Sequence, residues 1–274
     1  MHKENGLYRY SPSDLTRYMQ SPFASWMDRY ALEFPDIKLE KDSNDPLMEV
    51  LQQNGYAHEN ALEALFREKK LLVTYIDGGS SAVKLEKTLN AIRSGDDVIV
   101  QARLENGNFA GFADFLVRKN GASKLGDYYY EVWDTKLART VKPTFAIQLC
   151  CYAEMLESIQ GVIPENITIA LGSGENESLK TSDFFHYYRM LKSSFLLAQA
   201  SFNIETPLDP ADYKNWGDWS EYATKQLTAK DHLFQVATIT HRQIKKLNRV
   251  GIQTMQQLVD SPKTHTLICV EFTV

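Results

Sequence analysis

Between residues 81 and 171 the chain follows the order helix, three strands, helix, strand, which describes an α/β core with a mixed β-sheet. Runs rich in β-branched and aromatic residues, separated by turn signals, mark the consecutive strands. One such signal is Asn106-Gly107, which favours a tight hairpin. The predicted elements are a helix at 81–93, strands at 97–104, 109–118 and 128–137, a helix at 143–159 and a strand at 166–171.

Helices are expected to flank this sheet. Ser11 and Asp14 begin the first predicted helix, because a capping residue and an acid in the first turn stabilise a helix N-terminus. Further predictions are helices at 23–32, 47–66 and 184–202, a strand at 71–76, and polar loops at 38–46 and 119–126. The predicted buried stripe of the helix at 47–66 consists of Leu47, Val50, Leu51, Asn54, His58, Leu62 and Leu65.

The sequence changes character after residue 205, which predicts a core domain at 1–205 and a smaller helical region at 206–274. Loop-like residues 207–219 precede two short predicted helices at 242–248 and 254–259. These helices flank Gly251 and resemble a helix-hairpin-helix element. Residues 267–274 are an apolar, strand-like stretch that stops abruptly, and we expect the chain to continue into a longer protein.

Composition restricts the class of protein. The 274 residues contain no apolar run of about 18 residues, so neither a transmembrane helix nor a membrane partner is expected. The N-terminus lacks the apolar segment of a signal peptide, which predicts a cytoplasmic protein. Cys150, Cys151 and Cys269 form no spaced pairs, so neither disulfides nor a zinc knuckle are expected.

The net charge of −5 does not by itself favour a polyanionic partner. Basic residues nevertheless cluster locally, and local charge can override the overall balance. The clusters are Lys136, Arg139 and Lys142, and His241, Arg242, Lys245, Lys246 and Arg249.

A candidate site lies at the end of the strand at 128–137. Alternating side chains put Asp134 and Lys136 on one face, with a carboxylate that can bind a metal beside an ammonium group. This pattern also occurs in strands that simply reach solvent, but Asp114 in the preceding strand favours function, since neighbouring strands can bring two carboxylates to about 5 Å. Two such acids repel each other unless a cation lies between them, which predicts Mg²⁺ or Mn²⁺ and metal-assisted phosphodiester hydrolysis.

Two helical motifs have both a structural and a functional interpretation. His58 lies on a predicted apolar stripe, where a histidine usually packs in the core, and its neighbour Glu59 would usually be a solvated charge. Gln148 and Tyr152 are four residues apart on the helix at 143–159 and therefore share a face. That face either packs against the core or brings Gln148 to the site and Tyr152 to a phosphate or base.

In their order along the chain, these motifs resemble the PD-(D/E)xK nuclease superfamily. Within it they are most similar to the RecB-like branch, which includes CRISPR-associated and helicase-linked exonucleases. The motifs are His58-Glu59, Gly111-Phe112-Ala113-Asp114, Glu131-Val132-Trp133-Asp134-Thr135-Lys136 and Gln148-x-x-x-Tyr152. The resemblance covers roughly residues 50 to 155, with 11–30 similar to the N-terminal helices of the family, and its specificity lies in the order of short motifs.

The resemblance implies a restriction-endonuclease-like fold and a deoxyribonuclease that depends on Mg²⁺ or Mn²⁺. It also implies an exonuclease acting in DNA repair, recombination or defence. By position, His58, Asp114 and Asp134 would hold the metal together with the backbone carbonyl of Thr135. Lys136 would act on the nucleophilic water.

The same resemblance implies that Gln148, Tyr152 and Arg139 contact the substrate. The expected substrate is single-stranded DNA or a duplex end. The C-terminal region is similar to RecB-type proteins that continue into a helicase or a second nuclease domain, which implies such a domain in the full-length protein.

Many relatives hold an iron–sulfur cluster with one cysteine before the core and three after it. The first position falls near Ser21 and the others around 213–223, and none of these residues is a cysteine. Because a cluster needs thiolate ligands, we expect no iron–sulfur cluster. Packing through Trp26, Trp216 and Trp219 is expected to join the N-terminal helices to the C-terminal region instead.

Two alternatives remain open. The missing cysteines and the acidic balance also fit a non-catalytic nucleic-acid-binding or scaffolding module that retains the nuclease fold, although the complete acid–lysine set favours an enzyme. An unrelated α/β enzyme that has Asp134 and Lys136 by coincidence would be favoured if Asp114 lay far from Asp134.

Overall fold

The computed structural model describes residues 1–4, 6–37, 39, 41–42 and 46–261. The strands are β1 (His2–Glu4), β2 (Leu7–Arg9), β3 (Val73–Tyr75), β4 (Val98–Asn106), β5 (Phe109–Ser123), β6 (Gly126–Lys136), β7 (Asn166–Leu171) and β8 (Asn176–Lys180). The helices are α1 (Pro12–Gln20), α2 (Pro22–Glu33), α3 (Pro46–Glu68), α4 (Ser81–Ser94), α5 (Pro143–Gln160), α6 (Thr181–Ala200), α7 (Ser220–Ala229), α8 (His241–Arg249) and α9 (Met255–Asp260). Short 3₁₀ helices lie at Pro210–Asp212, Gly217–Trp219 and Leu233–Gln235.

The chain divides into two compact units. The first consists of Met1–Met19 and Asn44–Ser201, and the second of Gln20–Ser43 and Phe202–Val274. The division after Ser201 lies close to the predicted boundary at 205. Residues 20–43, which the sequence analysis placed with the core domain, belong to the second unit because α2 packs with the segment around Trp219.

The sheet of the first unit has the strand order β3-β4-β5-β6-β7-β8. Strands β3 and β4 are parallel, β4 to β6 form an antiparallel meander, β6 and β7 are parallel, and β8 returns antiparallel. Helix α4 connects β3 to β4, and α5 connects β6 to β7, as parallel neighbours require. The predicted α/β fold with a central mixed sheet flanked by helices is confirmed.

Two apolar cores lie on opposite faces of this sheet. Helix α5 is buried almost all round, and its residues join Ile99, Leu116 and Val132 in the larger core. The smaller core contains Leu62 and Phe66 of α3, packed against Val98, Val100 and Phe115. Adjacent residues such as Val98 and Ile99 therefore point to opposite faces, as strand geometry dictates.

The predicted buried stripe of α3 is wrong along most of its length. Leu62 and Phe66, four residues apart, are buried, whereas Val50, Leu51 and Leu65 are exposed. The reason is that, within the described ranges, the second half of this helix packs against the sheet, whereas the apolar residues of its first half remain exposed. Amphipathic periodicity identifies a helix, but the tertiary contact decides which part of it is buried.

The predicted loop at 119–126 is also wrong. Strand β5 continues to Ser123 and β6 begins at Gly126, so the hairpin is longer than expected. Lys119 and Asn120 pair with Tyr129 and Tyr128, and cross-strand pairing outweighs the polar composition that favours a loop. Strands β1, β2 and β8 and helix α7 were not predicted, since each is short and polar or interrupted by turns.

In the second unit, the predicted tryptophan packing is confirmed. Trp219 is fully buried with Phe23 and Met27, and Trp26 and Trp216 pack against the same cluster. The Trp219 Nε1 donates to Oδ1 of Asp28 at 3.0 Å. A buried indole N–H is thereby satisfied, and α2 is tied to residues almost two hundred positions later in the chain.

The end of the second unit contains a helix–turn–helix segment, as predicted. Helices α8 and α9 each begin with a capping box, at Thr240 and Thr254, and Gly251 between them adopts a φ of 85°. The strand-like stretch at 267–274 and most of the loop at 38–46 lie outside the described residues. In the ranges that are described, no helix is long and apolar enough to cross a membrane.

Candidate active site

Strand register brings the two predicted acids together. Phe115 of β5 lies opposite Trp133 of β6, so the next position along the same register sets Asp114 beside Asp134. Oδ2 of Asp114 accepts hydrogen bonds from the backbone N of Thr135 at 3.0 Å and from its Oγ1 at 3.1 Å. The alternative in which Asp114 lies far from Asp134 is therefore not supported.

Asp134 is a buried carboxyl group with incomplete compensation. It is 3% exposed, and the Nζ of Lys136 lies 2.5 Å from its Oδ2. Apart from this ion pair, the buried Oδ2 has no hydrogen-bond partner among the described residues. Burial raises the pKa of Asp134 to about 7, the negative charge of Asp114 adds to the rise, and Lys136 opposes it.

An irregularity of the sheet coincides with this pair of acids. Val100 and Ala102, two residues apart, pack into opposite cores, and so do Ala113 and Phe115 on the neighbouring strand. Gln101, which lies between the first pair, has a φ of 54°. In a regular strand, residues two apart point to the same face of the sheet. Here they point to opposite faces, so the alternation of side chains shifts in both strands at this point, as it does at bulges near functional sites.

Glu59 is hydrogen-bonded to Gln101, the residue at this irregular position. The Nε2 of Gln101 donates to Oε1 of Glu59 at 2.5 Å. Burial raises the pKa of Glu59, the negative charges of Asp114 and Glu63 add to the rise, and Gln101 and Lys136 lower it. The interpretation of Glu59 as a solvated charge is corrected, because this side chain is half-buried and lies among the site residues.

Gln101 was missed by the sequence analysis. The one available signal was a polar residue that interrupts the apolar run Val98-Ile99-Val100, inside a strand whose neighbours are buried. Its positive φ could not be foreseen, because it results from pairing with the irregular stretch of β5.

His58 is placed differently from the two aspartates. Its Nε2 lies 3.1 Å from the carbonyl oxygen of Ala170, which pairs with Thr135 across β6 and β7. The imidazole therefore contacts the backbone of β7, whereas the neighbouring Glu59 is the residue of α3 that contacts Gln101. Among the residues the structure describes, no three His, Cys, Asp or Glu side chains form a ready-made metal-binding group.

The predicted substrate-binding residues occupy three different environments. Tyr152 is buried and its hydroxyl donates to the carbonyl oxygen of Phe112 at 2.7 Å. Burial raises the pKa of Tyr152, and the charges of Asp134 and Asp114 contribute, so this side chain is close to both acids. Gln148 is half-buried on α5, and Arg139 is exposed between β6 and α5.

Gly111 allows the close approach of Tyr152 to β5. A Cβ atom at this position would lie 2.8 Å from the Tyr152 hydroxyl and 3.0 Å from Cδ of Pro12. Residue 111 of β5 must therefore lack a side chain for Tyr152 to reach the carbonyl of Phe112. The contact holds α5 against the strand that contains Asp114.

The oxygen donors of the site fit a hard divalent cation. Asp114 and Asp134 are adjacent carboxylates, and the Lys136 ammonium group is the one partner of the buried Oδ2 of Asp134 among the described residues. A cation between them would relieve both their repulsion and the cost of burying charge. Carboxylate and carbonyl oxygens are the ligands that Mg²⁺ and Mn²⁺ prefer.

Comparison with models of known protein families found no match, and comparison with curated protein sequences found none either. The structure defines an α/β protein with a six-stranded mixed sheet flanked by helices.

Proposed function

We propose that this chain is a metal-dependent deoxyribonuclease with a restriction-endonuclease-like core of the RecB-like type. The observation that supports this most is the buried carboxylate of Asp134, which lies beside Asp114 and 2.5 Å from the ammonium group of Lys136. A structural ion pair would not need a second acid that raises the pKa of the first. A site that binds a divalent cation does need this arrangement.

The residues have distinct proposed roles. Asp114 and Asp134 would hold Mg²⁺ or Mn²⁺ with the backbone carbonyl of Thr135, and the cation would supply an acidified water and neutralise phosphate charge. Lys136 would stabilise negative charge on the phosphate and orient the attacking water. Glu59, whose pKa is raised by burial, is a further candidate to accept a proton.

Because the Nε2 of His58 contacts the carbonyl oxygen of Ala170, its Nδ1 is the atom that would act as a metal ligand. Glu59, which accepts a hydrogen bond from Gln101, is a second residue of α3 that would contribute to the site. No iron–sulfur cluster is part of the proposal. The proposed setting is the cytoplasm, and a helicase or second nuclease domain is a proposed partner.

The test is a cleavage assay with end-labelled single-stranded and duplex DNA in Mg²⁺ or Mn²⁺. We expect cleavage by the natural protein and loss of at least about 100-fold in kcat for Lys136→Ala, as for removal of a group that stabilises transition-state charge. Lys119→Ala is the matched control, since Lys119 pairs with Glu131 at 3.5 Å on the same hairpin. Equal activity of both variants would contradict the assignment of Lys136.

A second candidate is a non-catalytic module that binds nucleic acid and keeps the fold. The ion pair of Lys136 with Asp134 favours it, because the ammonium group occupies an oxygen that is predicted to hold the cation. DNA binding without turnover, unchanged by Asp114→Asn, would support this module over the enzyme.

A further inference from the structure

Three exposed aromatic side chains lie on α3, β3 and β5. Tyr56 is 57% exposed, Tyr75 is 48% exposed and Phe112 is 37% exposed. Tyr56 precedes Glu59 by one helical turn, and Phe112 precedes Asp114 by two residues on β5. Single exposed apolar residues are common on soluble proteins, but a group of aromatic rings beside one site indicates binding.

The electrostatic environment of Tyr75 links this ring to the acids of α3. Burial raises the pKa of Tyr75, and the charge of Glu59 is the next contribution, followed by Glu63 and Asp77. Tyr56 also contributes, so the two tyrosines lie near each other and near Glu59. The tyrosine pair therefore borders the site from α3 and from the end of β3.

A cavity of about 240 Å³ opens between Tyr75 and Phe112. Its lining includes Lys84, Gln101 and the turn that contains Asp77. Gln101 is the residue whose amide donates to Glu59, so one side chain lines the cavity and contacts the acid cluster. The cavity is thus directly adjacent to the proposed reaction centre.

Cations lie against the Phe112 ring. The ammonium group of Lys84 and the guanidinium of Arg103 are each 5.2 Å from the ring centroid. The Nε of Arg103 is buried and has no hydrogen-bond partner in the described part of the chain. Asp77 carries the opposite charge on the cavity rim, where Lys87 lies 3.8 Å from it. An aromatic face with adjacent cations suits a planar base attached to a phosphate chain.

We propose that this cavity is a base-binding subsite for single-stranded DNA, in which an unstacked nucleobase packs on Phe112 and Tyr75. The inference rests on the proposed nuclease function and names the form of its substrate. Bases in a duplex are stacked on one another and cannot offer their faces to the protein, so the subsite selects single strands. Stacking on aromatic side chains tolerates any base, so little sequence preference is expected.

The test measures binding of labelled oligonucleotides to a Lys136→Ala parent, which is expected to leave the substrate uncut. Phe112→Leu and Tyr75→Leu keep an apolar side chain but remove the ring. Each should weaken single-strand binding by about 5- to 150-fold and leave duplex binding almost unchanged. An oligonucleotide with abasic sites should bind the parent as weakly as normal single strands bind the variants.

Tyr187→Leu is the matched control, since Tyr187 on α6 is 45% exposed and is not part of the cavity lining. Circular dichroism establishes that all variants are folded. Unchanged single-strand binding in both Phe112→Leu and Tyr75→Leu would overturn the subsite, as would failure of the parent to bind single strands.

The two proposals can fail separately. If the natural protein cuts single strands and both ring variants keep its KM, the subsite is wrong and the nuclease function stands. If no DNA is cut in Mg²⁺ or Mn²⁺ but single-strand binding still requires the two rings, the nuclease function is wrong and the subsite stands.

Discussion

Replacing Asp134 with asparagine should make the metal-free protein more stable at pH 8. Burial and the charge of Asp114 raise the pKa of Asp134 from its ordinary value of 3.8 to about 7. Each pKa unit corresponds to about 1.36 kcal/mol. The rise in the pKa of Asp134 therefore corresponds to about 4 kcal/mol of destabilisation of the folded state when the carboxylate is ionised. The neutral amide has nearly the same shape and removes that cost.

The stability gained by Asp134→Asn is expected to be smaller than the full destabilisation that the pKa change implies. Local relaxation and water entry reduce the cost of a buried charge, so we expect about 2 kcal/mol in the free energy of unfolding. For a unit of this size that is roughly 4–8 °C in Tm. The substitution should at the same time abolish cleavage, since active sites commonly trade stability for function.

The effect should depend on pH in a defined direction. The folded carboxyl group has the higher pKa, so the folded state binds the proton more tightly and stability falls as pH rises from about 4 to about 7. The difference between Asp134→Asn and the natural protein should therefore be greatest above pH 7. It should shrink to about a quarter of that value by pH 4.5.

The assay is urea denaturation followed by far-UV circular dichroism in EDTA at pH 8 and pH 4.5. Glu131→Gln is the matched control, because Glu131 is also 3% exposed on β6. Its Oε1 accepts from the backbone N and the side-chain Nδ2 of Asn166, each at 3.2 Å. Loss of charge there should therefore destabilise the protein by about 1 kcal/mol.

The result that would refute this reasoning is a loss of stability in Asp134→Asn at pH 8 as large as that in Glu131→Gln. It would mean that the fold stabilises the Asp134 carboxylate. Added Mg²⁺ or Mn²⁺ provides a second readout, since a ligand that binds the folded state stabilises it. The natural protein should gain stability from the cation and Asp134→Asn should not.

Other predictions concern buried groups around the site and in the second unit. Tyr152→Phe should cost about 1–3 kcal/mol in urea denaturation, because it leaves the partly buried carbonyl of Phe112 without this donor, and an unchanged free energy of unfolding would contradict the hydrogen bond. Burial raises the pKa of both Cys150 and Cys151 to about 12, so iodoacetamide at pH 8 should leave both thiols unmodified until the protein unfolds; mass spectrometry of peptides checks this. Trp219→Ala should cost about 3–5 kcal/mol in chemical denaturation through lost packing, whereas Trp26→Ala, at a partly buried position, should cost clearly less.

Much of the fold followed from local pattern. Runs rich in β-branched and aromatic residues and the Asn106-Gly107 turn signal predicted the β4–β6 meander, and Pro143 and Gly161 bracket the α5 helix that the sequence placed between β6 and β7. The spacing of Asp134 and Lys136 predicted a shared strand face, and their ion pair is present. These features depend on backbone geometry within one element, which is the part of folding that neighbouring residues decide.

Helix α3 shows what the local sequence pattern does not determine. Its helical character was predictable, but its buried residues were not, because they depend on which half of the helix lies on the sheet. Likewise, the residues that His58 and Glu59 each contact depend on how α3 crosses β4 to β7. Consecutive helical residues point in directions about 100° apart, so a small rotation exchanges their neighbours.

Sequence alone therefore established the mixed α/β sheet and the pairing of an acid with a lysine at the end of β6. Only the tertiary structure brought Gln101 to Glu59, since both strands change face at that register. It also moved α2 into the second unit, where Trp219 covers Phe23 and Met27. The physical reason is that periodicity determines the face of an element, whereas register, crossing angle and close packing between distant segments determine what that face meets.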